Sequence, residues 1–419
     1  MSQPTLPPGF GRRDHDLLCD GVALADIAAA VGTPVYVYSA AVVRDRYRAI
    51  DSSFGGYPHA LHYALKANSA LAIARLLRGL GSGVDANSVW EIEVARRAGF
   101  DASQIVFTGV GKSPAELECA VALGVKAINV ESAGELARVE TIATRLDRQV
   151  PVAVRLNPDI DAKSHPHIST GLKINKFGVS MDEALPLLHA LDRRPHLKLV
   201  AVHVHVGSQI TSLEPLRRAA AFVVGVATDL RLRGMPIEYI DLGGGLGVSY
   251  DGGAVPTAEQ YVTTLLDEVR RSGLPVVLEP GRAIAAPAGV LVARVIDVKP
   301  RDASSEFAVI DAGMTELLRP ALYNAFHQIE PVTTNDAAPR RYEVVGPVCE
   351  SSDVVGRDRL LPPLAEGDLV AVRDAGAYGS AMASNYNRRP LPAEVLVDDR
   401  QWRVIRRRQT IEDQLALET

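Results

Sequence analysis

The stretch HYALKAN, residues 62–68, ends a short apolar run on a lysine, Lys66. A run that enters a sheet or barrel core seldom finishes on an ammonium group without something for it to meet. Seven further runs of this kind follow: GVDAN (83–87), IVFTG (105–109), KAINVE (126–131), VPVAVRLN (150–157), LVAVHVHVG (199–207), IEYIDLGGG (237–245) and LPVVLEPG (274–281). Between them lie amphipathic segments such as SALAIARLLRGL (69–80), SPAELECAVALG (113–124), SAGELARVETIATRL (132–146) and LEPLRRAAAFVVGVATDLRLRG (213–234). Strand and helix patterns that alternate about eight times predict an α/β fold, a parallel (β/α)8 barrel of TIM type. An open doubly wound sheet is the competing arrangement, but no G-x-G-x-x-G follows a first strand.

Beyond Gly289 the rhythm changes. VLVARVIDVKP (290–300), EFAVIDAGM (306–314), RYEVVGPV (341–348), GDLVAVRDAGAY (367–378) and AEVLVDDRQWRVIRR (393–407) are strand-like, with turns and few helical spacers. They predict a C-terminal, mostly-β domain, a Greek-key-like barrel or sandwich. The expected division is an N-terminal segment at 1–35 packing with the β-domain, a barrel at 36–286, and the β-domain at 287–419. The early run TPVYVYS (33–39) fits either unit.

Composition narrows the class. Of 419 residues, 47% are hydrophobic and 23% charged, a globular balance, and the net charge of −5 is spread along the chain. No nucleic-acid footprint stands out; the one dense basic run, RRR at 406–408, reads as a solvated strand end. No apolar run reaches membrane-spanning length, and the N-terminus lacks the apolar core of a signal peptide, so a cytoplasmic protein is expected. Cys19, Cys119 and Cys349 are few and far apart, which argues against a disulfide framework or a metal cluster.

In such a barrel the chemistry gathers where the strands end, because the loops there share one mouth. The first run ends in Lys66 and Asn68, the second in Asp85, and the fifth in Arg155 and Asn157. The sixth ends in His203, His205, Ser208 and Gln209, the seventh in the triple glycine Gly243, Gly244 and Gly245, and the eighth in Glu279 and Arg282. Plainer readings exist for each: a solvated rim lysine, a tight glycine turn, satisfied core histidines, and a rim pair between Glu279 and Arg282. Together they suit pyridoxal phosphate. That cofactor needs a lysine for its aldehyde, a close backbone approach for its phosphate, a flat group against its ring, and a partner for its pyridine nitrogen.

At these residues the chain resembles the barrel-type (alanine-racemase-fold, fold type III) pyridoxal-phosphate decarboxylases, and within them the branch that acts on diaminopimelate. The likeness runs along nearly the whole chain: YALKAN (63–68), RLNPDIDAKSHPHISTGLKINKFG (155–178), HVHVGSQI (203–210), DLGGGLG (241–247), LEPGRAI (278–284), IDAGMTELLRPALYNAFH (310–327), GPVCESSD (346–353) and GAYGSAMASNYN (376–387). The resemblance implies Lys66 as the cofactor-bearing lysine, with His205 stacked on the ring and Glu279 at the pyridine nitrogen. It implies Ser208, Gly243, Gly244, Gly245, Gly281 and Arg282 around phosphate and ring, and Asp85, Arg155 and Tyr378 near the cofactor. Arg282, Arg319, Tyr323, Glu350 and Tyr378 fall at substrate contacts. Cys349 falls where relatives keep a proton donor, and Cys349 and Glu350 typically reach into the partner's site across a homodimer. Cys119, within ELECAVAL, reads instead as a buried small hydrophobe.

The implied reaction is decarboxylation of meso-2,6-diaminopimelate to L-lysine, with an amino-acid substrate and neither nucleic acid nor membrane as partner. Arg319 with Tyr323 would fork onto the distal carboxylate, and Glu350 would meet the distal ammonium. A decarboxylase of a D-amino acid or a carrier-bound glutamyl group, and a non-catalytic cofactor-binding barrel, are the other readings. Three stretches depart from the family pattern: NSVWEIEVARRAG (87–99) lacks a Gly-Gly pair, AVHVH carries Ala201 for glycine, and TGVGKS (108–113) lacks an asparagine.

Overall fold

The computed structural model describes residues 9–161, 170–171, 175–191 and 193–419. The first eight residues of the N-terminal segment, and positions 162–169 and 172–174 of the stretch quoted above, lie outside the described residues. Two compact units emerge: Arg46–Val248 with Val255–Ala283, and the described part of Met1–Asp45 with Ser249–Ala254 and Ile284–Thr419.

The first unit is a closed ring of eight parallel strands: His59–Ala64, Gly83–Ala86, Ile105–Phe107, Ala127–Val130, Val150–Leu156, Leu197–Val204, Tyr239–Asp241 and Val276–Leu278. Val276–Leu278 pairs back onto His59–Ala64, which closes the ring. Because all eight strands run the same way, their C-terminal ends and the residues just beyond them form one rim. Inside, Ala127, Ala153, Val200, Ala201, Val277 and Tyr239 form a buried cluster. The methyl of Ala201 is therefore core packing.

The intervening helices start and stop on local signals. Ser113 and Thr257 accept the backbone N–H three residues on while Glu116 and Gln260 reach back, and Pro114 occupies the first turn of its helix. Gly99 and Gly124 end their helices in the left-handed conformation. Ser88 caps Val89–Ala98, accepting from the Glu91 N–H at 3.2 Å, so that helix begins without a Gly-Gly pair. In Pro114–Leu123 the buried face is Leu117, Ala120 and Val121. Cys119 lies about 200° around from Leu117 and is exposed, not buried as expected; Cys19 is the buried cysteine.

The second unit holds a nine-stranded mixed sheet. Its main path runs Val354–Leu361, Arg340–Val345, Glu306–Ile310, Gly289–Pro300, Val35–Ser39, Ala393–Asp398, Gln401–Arg406. Leu369–Val372 branches from Gly289–Pro300 and carries Ile329–Pro331. Val35–Ser39, placed inside an expected barrel that began at residue 36, pairs instead with Gly289–Pro300 and Ala393–Asp398. A three-stranded sheet at Phe10–Arg13, Asp16–Cys19 and Val22–Ala23 joins this unit through the Leu17 N–H, which donates to the Val332 carbonyl at 2.8 Å. Arg406 pairs with Glu394, Arg407 with Asp413, and Arg408 donates to the Pro34 carbonyl, so the basic run makes local ion pairs and hydrogen bonds. Among the described residues no helix is long and apolar enough to cross a membrane.

Candidate active site

Lys66 stands in a single 3-10 turn, Leu65–Ala67, directly after the first barrel strand. Its Nζ donates to Asp85 Oδ2 at 2.7 Å, and Asn87 Nδ2 donates to the same oxygen at 3.1 Å. Burial alone would raise the Asp85 carboxyl; Lys66, with Thr108 and Asn87, outweighs it and holds the group well below the usual carboxylate range. A depressed carboxyl stabilises the fold above its unfolded value of about 3.9, and that contribution is lost as pH falls through the folded value. The thermal-stability advantage of wild type over Asp85→Asn should therefore be full at pH 7 and shrink progressively below about pH 5. An advantage unchanged down to pH 3 would contradict the ion pair.

Arg155, at the end of the fifth strand, is anchored from behind. Its NH1 donates to Glu131 Oε1 at 2.9 Å, with both side chains buried, and its guanidinium lies 4.9 Å from the Phe177 ring centroid. Glu131 also accepts the N–H groups of Gly109 and Gly178. Beside it, the buried Lys112 donates to Glu135 Oε1 at 2.5 Å and to the carbonyls of Gly109 and Asn129. Lys112 belongs to the departing TGVGKS loop, and its three acceptors tie that loop to the rim. Glu131, Glu135 and Lys112 were not among the residues expected at the site.

At the seventh strand's end the glycines are required by close packing. A Cβ on Gly243 would stand 2.6 Å from the Val204 carbonyl oxygen, and one on Gly244 2.3 Å from that of Glu279. Their amides point inward: Gly243 donates to Asp241 Oδ1 at 2.9 Å and Gly244 to His205 Nδ1 at 3.0 Å. Those two N–H groups are thus engaged within the protein, and a phosphate-facing role for them is not what the geometry shows. Gly281 packs on the first strand's end, where a Cβ would come 3.0 Å from that of Ala67. Arg282 Nε and NH2 both donate to Ser208 Oγ, at 3.3 and 3.0 Å. That places a guanidinium and a hydroxyl side by side, a pair suited to an anion.

His205 follows the sixth strand. Its Nδ1 accepts from Gly244, which fixes the tautomer with the proton on Nε2. Burial first, and then Lys66, Arg155 and His203, push its pKa well below the ordinary imidazole value, so the ring is a neutral plate. Glu279 is 3% exposed, and its Oε1 has no hydrogen-bond partner among the described residues. An orphaned, buried carboxylate oxygen fits a ring nitrogen that carries a proton. His203 is fully buried, and neither ring nitrogen has a hydrogen-bond partner among the described residues, so it is not a satisfied core histidine.

The remaining candidates belong to the β unit. Arg319 opens the short helix Arg319–Tyr323 and is 4% exposed. Its NH1 lies 2.7 Å from His327 Nε2, and its guanidinium sits 4.4 Å from the Tyr250 ring centroid. Arginine can only donate, so His327 accepts on Nε2 and donates from Nδ1 to the Arg373 carbonyl at 2.7 Å. One edge of the guanidinium is thereby fixed, and Tyr323 is half-buried at the end of the same turn. Cys349 and Glu350 are exposed on a loop shaped by Asp353, whose carboxylate accepts the N–H groups of Met314 and Val348. The Cys349 N–H donates to Asn387 Oδ1 at 3.1 Å. Tyr378 is half-buried with φ of 55°, a left-handed backbone that a bulky side chain rarely adopts and that recurs at functional sites.

Lys66, the neutral His205 ring, the Ser208–Arg282 pair and the orphaned Glu279 oxygen together fit pyridoxal phosphate. Comparison with known proteins agrees. Residues 40–286 match the family model described as pyridoxal-dependent decarboxylase, pyridoxal binding domain. Over its full length the chain is similar to the diaminopimelate decarboxylase of Pseudomonas aeruginosa, 46% identical with 98% of each chain covered. Among solved structures it is similar to diaminopimelate decarboxylase from Helicobacter pylori complexed with L-lysine, at 42% identity and a TM-score of 0.91 over 94% of this chain and 98% of that one. The M. jannaschii diaminopimelate decarboxylase with L-lysine matches at 34% identity and a TM-score of 0.94, over 99% of this chain and 98% of that one.

Proposed function

The chain belongs to the pyridoxal-dependent decarboxylases, and from that premise we propose that it converts meso-2,6-diaminopimelate to L-lysine and carbon dioxide. It is an amino-acid carboxy-lyase of lysine biosynthesis. The observation that carries the substrate is 46% identity across 98% of both chains with a diaminopimelate decarboxylase. The same reading places the enzyme in the cytoplasm.

Pyridoxal phosphate, when bound, supplies the electron sink that takes up the pair left by departing carbon dioxide. The protein supplies the rest. Lys66 would offer the amine that holds the cofactor, and Asp85 orients that amine. Glu279 would face the ring nitrogen, His205 would support the ring as an uncharged plate, and Ser208 and Arg282, with Gly245, would hold the phosphate. Arg155, held by Glu131, presents positive charge at the rim.

Arg319 and Tyr323 bind the distal carboxylate, Glu350 the distal ammonium, and Tyr378 lines the substrate. Cys349 Sγ returns a proton to Cα. Cys349 and Glu350 are exposed in the single chain, which supports a homodimer in which each loop completes the partner's site.

Arg319→Lys tests the substrate assignment. The variant keeps the charge but loses the two-pronged geometry, a loss of about 2–5 kcal/mol for a desolvated contact, so kcat/KM for diaminopimelate should fall at least about tenfold. The small rate with lysine, which has no distal carboxylate, should hardly change. Equal losses for both would make Arg319 a structural residue held by His327.

A further inference from the structure

Behind Glu279 lies a cluster the reaction above does not use. His203 and Asp241 are direct neighbours in the register of the sixth and seventh strands, and Asp241 pairs with Val277 on the eighth. Glu279 is two residues beyond Val277, so the strand alternation turns all three side chains to the same side of the sheet. One polar atom from each lies within 4.8 Å of those of the other two, and His203 Nε2 stands 3.4 Å from Glu279 Oε2. That is ion-pair reach without hydrogen-bond geometry. Both nitrogens of His203, Oδ2 of Asp241 and Oε1 of Glu279 are buried without a hydrogen-bond partner among the described residues. Four orphaned polar atoms in one small volume are costly unless they serve each other or a ligand.

We propose that His203 and Asp241 are positioning residues for the cofactor ring: a buried pair behind Glu279 that supplies its carboxylate with two donors and so fixes its direction and its charge. The inference rests on the reading that Glu279 meets the pyridine nitrogen. Two carboxyl groups this close in a buried site cannot both stay ionised. Burial first, and the neighbouring Glu279 next, push the Asp241 carboxyl well above its ordinary range, so Asp241 keeps its proton. Asp85 pushes the same group further up and Lys126 pulls it down, and Tyr239 and Tyr261 feel both carboxyls. A neutral Asp241 can donate from Oδ2 while its Oδ1 accepts from Gly243, and His203 can donate from Nε2. Glu279 Oε1 then remains for the ring.

The test is the 15N resonance of ring-labelled pyridoxal phosphate in the reconstituted enzyme, together with cofactor affinity of the apoenzyme. Wild type should show a protonated ring nitrogen, and Glu279→Gln should move the resonance to the unprotonated position. His203→Leu should move it in the same direction and weaken cofactor binding at least about tenfold, as loss of an outer-shell partner does elsewhere. Thermal stability of the variant, read alongside, separates loss of this donor from loss of the fold. His203→Gln, which keeps an N–H donor, should restore most of the wild-type signal. A second measurement needs no variant of unknown fold: in the wild-type holoenzyme, His203 Nε2 should carry a hydrogen-bonded proton. A bare Nε2, or a His203→Leu enzyme with wild-type resonance and affinity while Glu279→Gln shifts both, overturns the proposal. A Glu279→Gln enzyme with an unmoved resonance overturns the Glu279 reading and the proposal with it.

Discussion

Lys66→Arg should lower kcat/KM for diaminopimelate by at least about a thousandfold, the scale of removing a covalent catalytic group. The arginine keeps a positive charge beside the buried Asp85, whose carboxylate would otherwise lose its 2.7 Å partner, so the loss reports chemistry rather than an unpaired buried charge. It offers no amine of usable pKa to the cofactor. The wild type should absorb in the visible and, after borohydride reduction, carry the cofactor on Lys66 alone, while the variant should show neither property. Labelling of another lysine would end the barrel-rim assignment.

Cys349→Ala should retain the cofactor and lose about two to four orders of magnitude in turnover, the range for a positioned proton donor. The cysteine is exposed on its loop, so the substitution removes no buried packing. Mixing Cys349→Ala chains with Lys66→Arg chains then tests sharing between subunits. If each site draws Lys66 from one chain and Cys349 from the other, a heterodimer has one intact site of two, and random pairing restores about a quarter of wild-type activity. No recovery from proven heterodimers would mean that each site is built within one chain. Wild-type turnover in Cys349→Ala would move the donor role elsewhere.

The barrel was legible because each strand carries its own β-rich run and each helix its own caps. Ser113 and Pro114 announce a helix wherever they stand. Long-range pairing has no such local sign. VYVYS reads equally well as a barrel strand or a sheet strand, and only partners more than 250 residues away, at Gly289–Pro300 and Ala393–Asp398, decide it. Cys119 illustrates the limit of composition: within an alanine- and leucine-rich helix it looks apolar and buried, yet its angular position turns it outward.

At the site, the groups that end strands were readable and their supports were not. Glu131 and Glu135 look like ordinary residues at a helix start, and Ser132 does accept the Glu135 N–H. The Glu135 side chain, however, turns to Lys112 and to the Glu131 N–H. The glycines Gly243 and Gly244 suggested a phosphate cradle, but their amides serve Asp241 and His205. His327 steadies Arg319 from eight residues away with no pattern in the sequence to mark it.

The central claim is the substrate, and carbon dioxide release tests it most directly. Purified holoenzyme given meso-2,6-diaminopimelate, L-lysine, L-ornithine, D-amino acids or a carrier-bound glutamyl group should release carbon dioxide rapidly from the first alone, with one equivalent of L-lysine formed for each carbon dioxide. Release from another of these substrates with none from diaminopimelate would contradict the account.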